Sequence, residues 1–270
     1  MLAQELPRHP LGDFAMNDIH HAARTGFQRG ADIYATGRPD YPPEIVTWLI
    51  STVGLGPGKR VAEIGAGTGK FLPSLIVTGA DVIAVEPVEA MHSRLKATYP
   101  HIDIREGTAE AAPLRNGEVD AVVCAQAFHW FANPLSLAEF RRVLAPGGAL
   151  ALVWNVRDQS VPWVRRLTEI LAPHVGDAPR HDSGRWRSVF PSKGFGPLSE
   201  CRFSHSHDGH PEDVVLARVM SVSFIAALAD RQRAAVERQV REVMASTPEL
   251  AGDSVSFPYE TVAYVCRRID

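Results

Sequence analysis

Ten residues constrain this chain more than any others: Val61-Ala62-Glu63-Ile64-Gly65-Ala66-Gly67-Thr68-Gly69-Lys70. An apolar run leads into three alternating glycines, and the pattern predicts a strand over 60–64 followed by a helix over 70–78. Glycine at such a junction lets backbone approach a ligand closely, where a Cβ would stand in the way. Three kinds of nucleotide-binding loop use this device, and spacing separates them. A phosphate loop of the form G-x-x-x-x-G-K-[ST] needs glycine at 64 and Ser or Thr at 71, where the chain has Ile64 and Phe71. The dinucleotide pattern G-x-G-x-x-G needs glycine at 70, which is Lys. The pattern that remains is E-x-G-x-G-x-G. An acidic strand end beside bare backbone suits a ligand with an ammonium and a ribose but no pyrophosphate. Glu63 is expected near that ammonium; the competing reading has it only capping a turn. About 20 residues further on, Glu86 closes a second apolar strand, where a carboxylate can accept both ribose hydroxyls.

The rest of the chain repeats this alternation. Strands are expected over 81–85, 102–105, 119–125 and 149–154, with helices over 43–52, 88–98 and 134–144 and a turn at Pro146-Gly147-Gly148. The run 119–125 is apolar throughout, as in a strand covered on both faces. Beyond Asn155 the periodicity weakens. Helices are expected over 163–172, 212–229 and 230–245, the last with a solvated face from Arg231 to Arg241. Strands are expected over 199–206 and 259–267, as a strand–helix–strand ending. Repeated βα units of this kind make a doubly wound α/β fold.

Composition excludes several functions. In 270 residues, 45% are hydrophobic and 22% charged, and the net charge of −3 offers no general attraction for nucleic acid or an anionic membrane. The first ten residues carry Glu5, Pro7 and Arg8 and no apolar leader core, and the most apolar stretch, 143–154, is broken by its Pro-Gly-Gly. Cys124, Cys201 and Cys266 lie far apart and fit reduced thiols in a cytoplasmic protein. His205, His207 and His210 have ligand-like spacing without a supporting Cys or carboxylate pattern, so no metal is expected.

The glycine loop with Glu86 resembles motif I of the class I S-adenosylmethionine-dependent methyltransferases. Further motifs resemble its trans-aconitate-methyltransferase-like subgroup. They are Phe27, Ala31, Tyr34, Arg38-Pro39 and Tyr41-Pro42, then Gln126-Ala127-Phe128-His129-Trp130-Phe131, Arg142-Val143-Leu144-Ala145-Pro146-Gly147-Gly148 and Trp154-Asn155. Glu63 departs from the family, which more usually has Asp there. The resemblance covers roughly residues 27–165. It implies a doubly wound, seven-stranded, mostly parallel sheet of Rossmann-like methyltransferase type, with a small helical cap from the N-terminal arm and residues 156–230. Residues 1–42 would form the arm and lid helix and 43–156 the cofactor-binding core. Residues 157–270 would supply the acceptor-site helices and closing strands.

The resemblance also implies S-adenosyl-L-methionine as cofactor. It would be held by Tyr34, Arg38, Glu63, Gly65, Ala66, Gly67, Gly69, Glu86, Pro87, Thr108, Ala109, Glu110, Gln126 and Ala127. Arg38 would face the methionine carboxylate, and Gly107 to Glu110 would run under the adenine. A helix stop at Arg38-Pro39 with a solvated guanidinium is the competing reading, and a solvent-facing helix start that for Glu110. Phe128, Trp130, Trp154, Trp163 and Phe224 are candidates for an aromatic acceptor pocket, with core packing as the alternative. His129 is the candidate catalytic residue, as a base or as a positioning group. The expected reaction is methyl transfer to oxygen, or nitrogen, of a small molecule such as a specialised metabolite or small acid. The alternatives are a small thiol as acceptor, or a protein that binds the cofactor without transferring its methyl. The chain lacks the Asp/Asn-Pro-Pro-aromatic motif and the Pro-Cys pair of nucleic-acid methyltransferases. Oligomeric state is not readable from the residues.

Overall fold

The computed structural model describes residues 38–270. Five parallel strands form one side of a seven-stranded sheet: β1 (Arg60–Ile64), β2 (Asp81–Val85), β3 (Asp103–Arg105), β4 (Val119–Ala125) and β5 (Leu144–Arg157). Two more, β6 (Ser199–Gly209) and β7 (Val255–Arg267), complete the order β3-β2-β1-β4-β5-β7-β6. β7 runs antiparallel to both neighbours. This is the doubly wound, mostly parallel architecture, with its reversal of strand order between β1 and β4. Ligands of open α/β sheets sit outside the carboxyl ends of strands at such a point.

The strands form where the sequence can be buried on both faces. Ala62 and Ile64 of β1 belong to one apolar layer with Val122, Cys124, Leu150 and Leu152, while Val61 belongs to the opposite layer with Val82, Ala84, Val123 and Val153. Helices cover these layers: α1 (Glu44–Trp48, continued by a wider turn Leu49–Val53), α2 (Leu72–Ile76), α3 (Glu89–Thr98) and α4 (Pro134–Val143). A third cluster joins α5 (Pro162–Leu171), α6 (Asp230–Ala245) and the turns between 212 and 226 to Val255, Phe257 and Tyr259 of β7. In α6, Val236, Val240 and Val243 are buried at helical spacing, and Arg241 turns outward to Glu212 and Glu237.

Two elements differ from expectation. The Pro-Gly-Gly segment is not a free turn: β5 begins at Leu144, opposite Val119, and slips register before Ala121 meets Ala149. Gly147 has φ of +70°, and a Cβ on Gly148 would lie 2.9 Å from the Asp120 carbonyl, so the irregularity needs both glycines. The helix expected over 212–229 is broken into a wide turn Glu212–Ala217, a short helix Arg218–Met220 and another turn Ser223–Ala226. Ser221 Oγ donates back to the Arg218 carbonyl (2.8 Å), and Val222 takes an extended backbone, which together end the helix. Among the described residues, no helix is long and apolar enough to cross a membrane.

Candidate functional site

At the carboxyl ends of β1, β2, β3 and β4 lies a cavity of about 810 Å³. The glycine loop forms its floor. The Gly65 and Ala66 N–H groups donate to the Val85 carbonyl (2.8 and 3.1 Å), which ties the loop to β2. A Cβ on Gly65 would sit 2.9 Å from Ala127 Cβ and 3.3 Å from the Phe131 ring. Gly67, at φ of +59°, has among the described residues only Met91 Sδ within reach of a Cβ, at 3.8 Å, so its bare Cα borders open cavity.

Two buried carboxyl groups stand beside this floor. Glu86, 3% exposed, accepts from the Gly67 N–H (2.7 Å) and the Val88 N–H (2.9 Å). Burial nonetheless pushes its pKa up to about 7, with the two amides pulling the other way. Glu63, 1% exposed, has its Oε2 buried with no hydrogen-bond partner among the described residues. Burial first, and the Glu86 charge second, push its carboxyl well above the usual range. Such groups call for hydroxyl or ammonium donors.

Most expected cofactor residues line this cavity: Arg38, Glu63, Gly65, Ala66, Gly67, Glu86, Pro87, Thr108, Ala109, Glu110, Gln126 and Ala127. Glu110 is anchored by donation from Asn133 Nδ2 (2.8 Å) and Ser136 Oγ (3.1 Å). Tyr34 lies outside the described residues. Gly69 does not line the cavity. A Cβ there would meet Leu95 and Tyr99 at 2.6 Å, so this glycine serves the packing of α3.

A second cleft of about 160 Å³ adjoins the first. Arg38, Gln126, Trp130 and Arg218 line both. Gln126, with φ of +55°, is the one non-glycine in the left-handed region among the described residues. It is held there by donation from its N–H to the Val153 carbonyl (2.8 Å) and from its Nε2 to the Asn155 carbonyl (3.2 Å). Strain of this kind is kept where surrounding structure enforces it, often beside a ligand. Phe224 and Trp154 reach the small cleft, although Trp154 is fully buried.

Three expectations need correction. His129 lines the small cleft, but Trp154 Nε1–H donates to its Nδ1 (3.0 Å), so its only basic lone pair is occupied and the proton sits on Nε2. Burial, with His181 and Arg38 nearby, lowers its pKa to about 3. That environment suits a neutral donor and not a base. Phe128 is sealed in the core against Phe131, Phe140 and Trp186, and lines neither cavity. Trp163 packs edge-on against Phe257 (4.8 Å) under the cap and lines neither cavity.

Sequence reasoning missed Arg157, Arg218 and His181, which line the small cleft. The signal for Arg218 was available: one arginine in the apolar run Val214-Val215-Leu216-Ala217-Arg218-Val219-Met220. Among the described residues no three His, Cys, Asp or Glu side chains come together to hold a metal.

Known proteins agree with this geometry. A family model described as a methyltransferase domain matches residues 62–152. A methyltransferase-like protein of Schizosaccharomyces pombe is 37% identical over 233 residues, which span 86% of this chain and 91% of that one. The chain belongs to the class I S-adenosylmethionine-dependent methyltransferases. The methyltransferase is also 36% identical over 237 residues to a Mycobacterium tuberculosis protein named as a methyltransferase, covering 87% of this chain and 93% of the relative. Among solved structures, one named as a type II methyltransferase from Anaeromyxobacter dehalogenans is 25% identical, with a TM-score of 0.58 over 85% of this chain and 96% of that one. A protein of Anabaena variabilis, 20% identical, shares the fold with a TM-score of 0.59 over 84% of this chain and 98% of its own. The cofactor of this methyltransferase is S-adenosyl-L-methionine. The cavity fits that group chemically: bare backbone at Gly67 and two acidic acceptors, one with an unpartnered oxygen, match a ligand with a ribose, an ammonium and a sulfonium.

Proposed function

We propose that this enzyme methylates an oxygen or nitrogen atom of a small molecule that reaches the methyl group through the small cleft. The observation that carries this reading is the junction of the two cavities, with Gln126 and Trp130 lining both. Residues 43–156, with Arg38, then hold the cofactor, and 157–270 supply most of the acceptor wall.

When bound, S-adenosylmethionine supplies an electrophilic methyl whose transfer neutralises a sulfonium. The chain's own residues bind and orient. Glu86 accepts the ribose hydroxyls while keeping Gly67 and Val88 in register. Glu63 accepts from the ammonium, and Arg38 faces the carboxylate. Thr108, Ala109 and Glu110 read the adenine edge. Trp130 closes the boundary and excludes water, and holding two reactants together in this way is worth about 7–11 kcal/mol of barrier. His129 acts as a positioning residue, offering Nε2–H to the acceptor.

The test is calorimetry followed by transfer of labelled methyl. S-adenosylhomocysteine is expected to bind, and Glu86→Ala to weaken it by about 1.5–3 kcal/mol, the range for hydrogen bonds to a charged group. With labelled cofactor and a cell extract, label is expected in the low-molecular-weight fraction. Label recovered only in protein or nucleic acid would overturn the small-molecule reading.

A further inference from the structure

The two cavities differ in electrical character. The large one sets Glu63, Glu86, Glu110 and Glu139 against Arg38, Lys70, Arg142 and Arg218. Among the described residues the small one is lined by Arg38, Arg157, Arg180 and Arg218 against a single acidic side chain, Asp182, which already pairs with Arg180 at 3.2 Å. Its two histidines add no charge of their own, since burial holds His129 and His181 neutral.

Arg218 is 6% exposed, and its Nε donates to the Tyr259 hydroxyl (2.9 Å). Its Nη1 is buried with no hydrogen-bond partner among the described residues, as is Nη1 of Arg157. Burying guanidinium N–H groups unpaired is costly, and two such groups facing one cleft also repel. In keeping with this, burial and the neighbouring Arg218 lower the Arg157 pKa to about 10. Arg157 lines only the small cleft, so the cofactor's carboxylate in the large cavity is not its complement. A planar fork of donors facing a confined space is matched by two oxygens of one anionic group.

We infer that the small cleft is an oxyanion subsite, in which Arg157 and Arg218 hold a carboxylate or phosphate group of the methyl acceptor. The assignment of that anion to the acceptor rests on the methyl-transfer reading above; the anion binding itself does not. The oxyanion anchors the acceptor at the arginine end, and the nucleophilic atom faces the Gln126–Trp130 border. Neutral analogues of the same shape leave both guanidinium groups unpaired and are rejected.

The test is calorimetric titration of the full chain, alone and saturated with S-adenosylhomocysteine. The probes are matched pairs: malonate with malonamide, benzoate with benzamide, and inorganic phosphate. At least one oxyanion is expected to saturate and its amide to bind at least about 30-fold more weakly, the scale of losing one partner of a buried charged pair. Arg157→Gln is expected to cost the oxyanion a similar factor and S-adenosylhomocysteine less than about twofold. Arg157→Lys, with charge but no fork, should fall between. Carboxylate against phosphate identifies the oxyanion. If Arg157→Gln does not fold, the acid–amide contrast in the wild type decides. Equal binding of acid and amide, saturation by no member of the panel, or a folded Arg157→Gln with full oxyanion affinity would overturn the inference. Failure of S-adenosylhomocysteine to bind sinks the cofactor assignment, while titration of the chain alone still judges the cleft.

Discussion

Glu86 meets two opposed demands. Its oxygens fasten Gly67 and Val88 to the end of β2, yet burial raises its pKa from the ordinary 4.5 to about 7. A carboxyl whose pKa is higher folded than unfolded favours the native state while protonated. The contribution is full below pH 4.5 and is lost as pH rises through 7. From this group alone the ligand-free enzyme loses about 3 kcal/mol across that window. Glu86→Gln removes the titration while giving up one of the two backbone acceptors, so it is expected to flatten the profile. Denaturation at stepped pH checks this, and parallel profiles for the two proteins would refute it. The glycines divide more sharply. Gly65→Ala forces a Cβ onto Ala127 and Phe131 at φ of +74° and should lower stability and cofactor affinity together. Gly67→Ala meets only Met91 Sδ, so it should cost the fold about 1–2 kcal/mol of backbone strain yet weaken S-adenosylhomocysteine strongly. Melting curves and titrations run side by side separate the two.

At the scale of elements, α4 links the fold to the cavity wall. Asn133 Oδ1 accepts from the Leu135 and Ser136 N–H groups (2.9 and 3.0 Å), Pro134 opens the first turn, and Asn133 Nδ2 holds Glu110. Asn133→Ala should cost about 1–2 kcal/mol through the lost cap, measured by urea unfolding. It should also loosen Glu110 and weaken the cofactor. Unchanged stability would show that water caps the helix equally well. This helix was legible because its cap, its Pro and its apolar stripe lie within ten residues. The same holds for β1, β2 and β4, whose buried runs declare themselves. The turns between 212 and 226 were not legible, because their break at Ser221 and Val222 lies in a run of apolar residues that reads as one helix, and the Arg218 within it is held by Tyr259, 41 residues away.

Across the whole molecule, legibility follows the same line. The loop, Glu63, Glu86 and the 107–110 segment could be read as a site because each stands at a strand end in sequence order. The second cleft could not, since it is assembled from β5, the 179–182 loop and the broken helix around Arg218. His129 shows the limit at one residue. Its position at the end of β4 was readable, but Trp154, 25 residues on, takes its lone pair and with it the role of base. The place of β7 in the sheet has a consequence for synthesis. Among the described residues β6 bonds to no strand except β7, and β7 reaches β5 across pairs such as Ala149 with Arg267. While a ribosome is still making residues 255–267, the half-built protein presents β5 with an open edge and holds β6 with nothing to join. An unpaired strand edge is a template for pairing with another chain, and only the arrival of this strand covers β5 and gives β6 its neighbour.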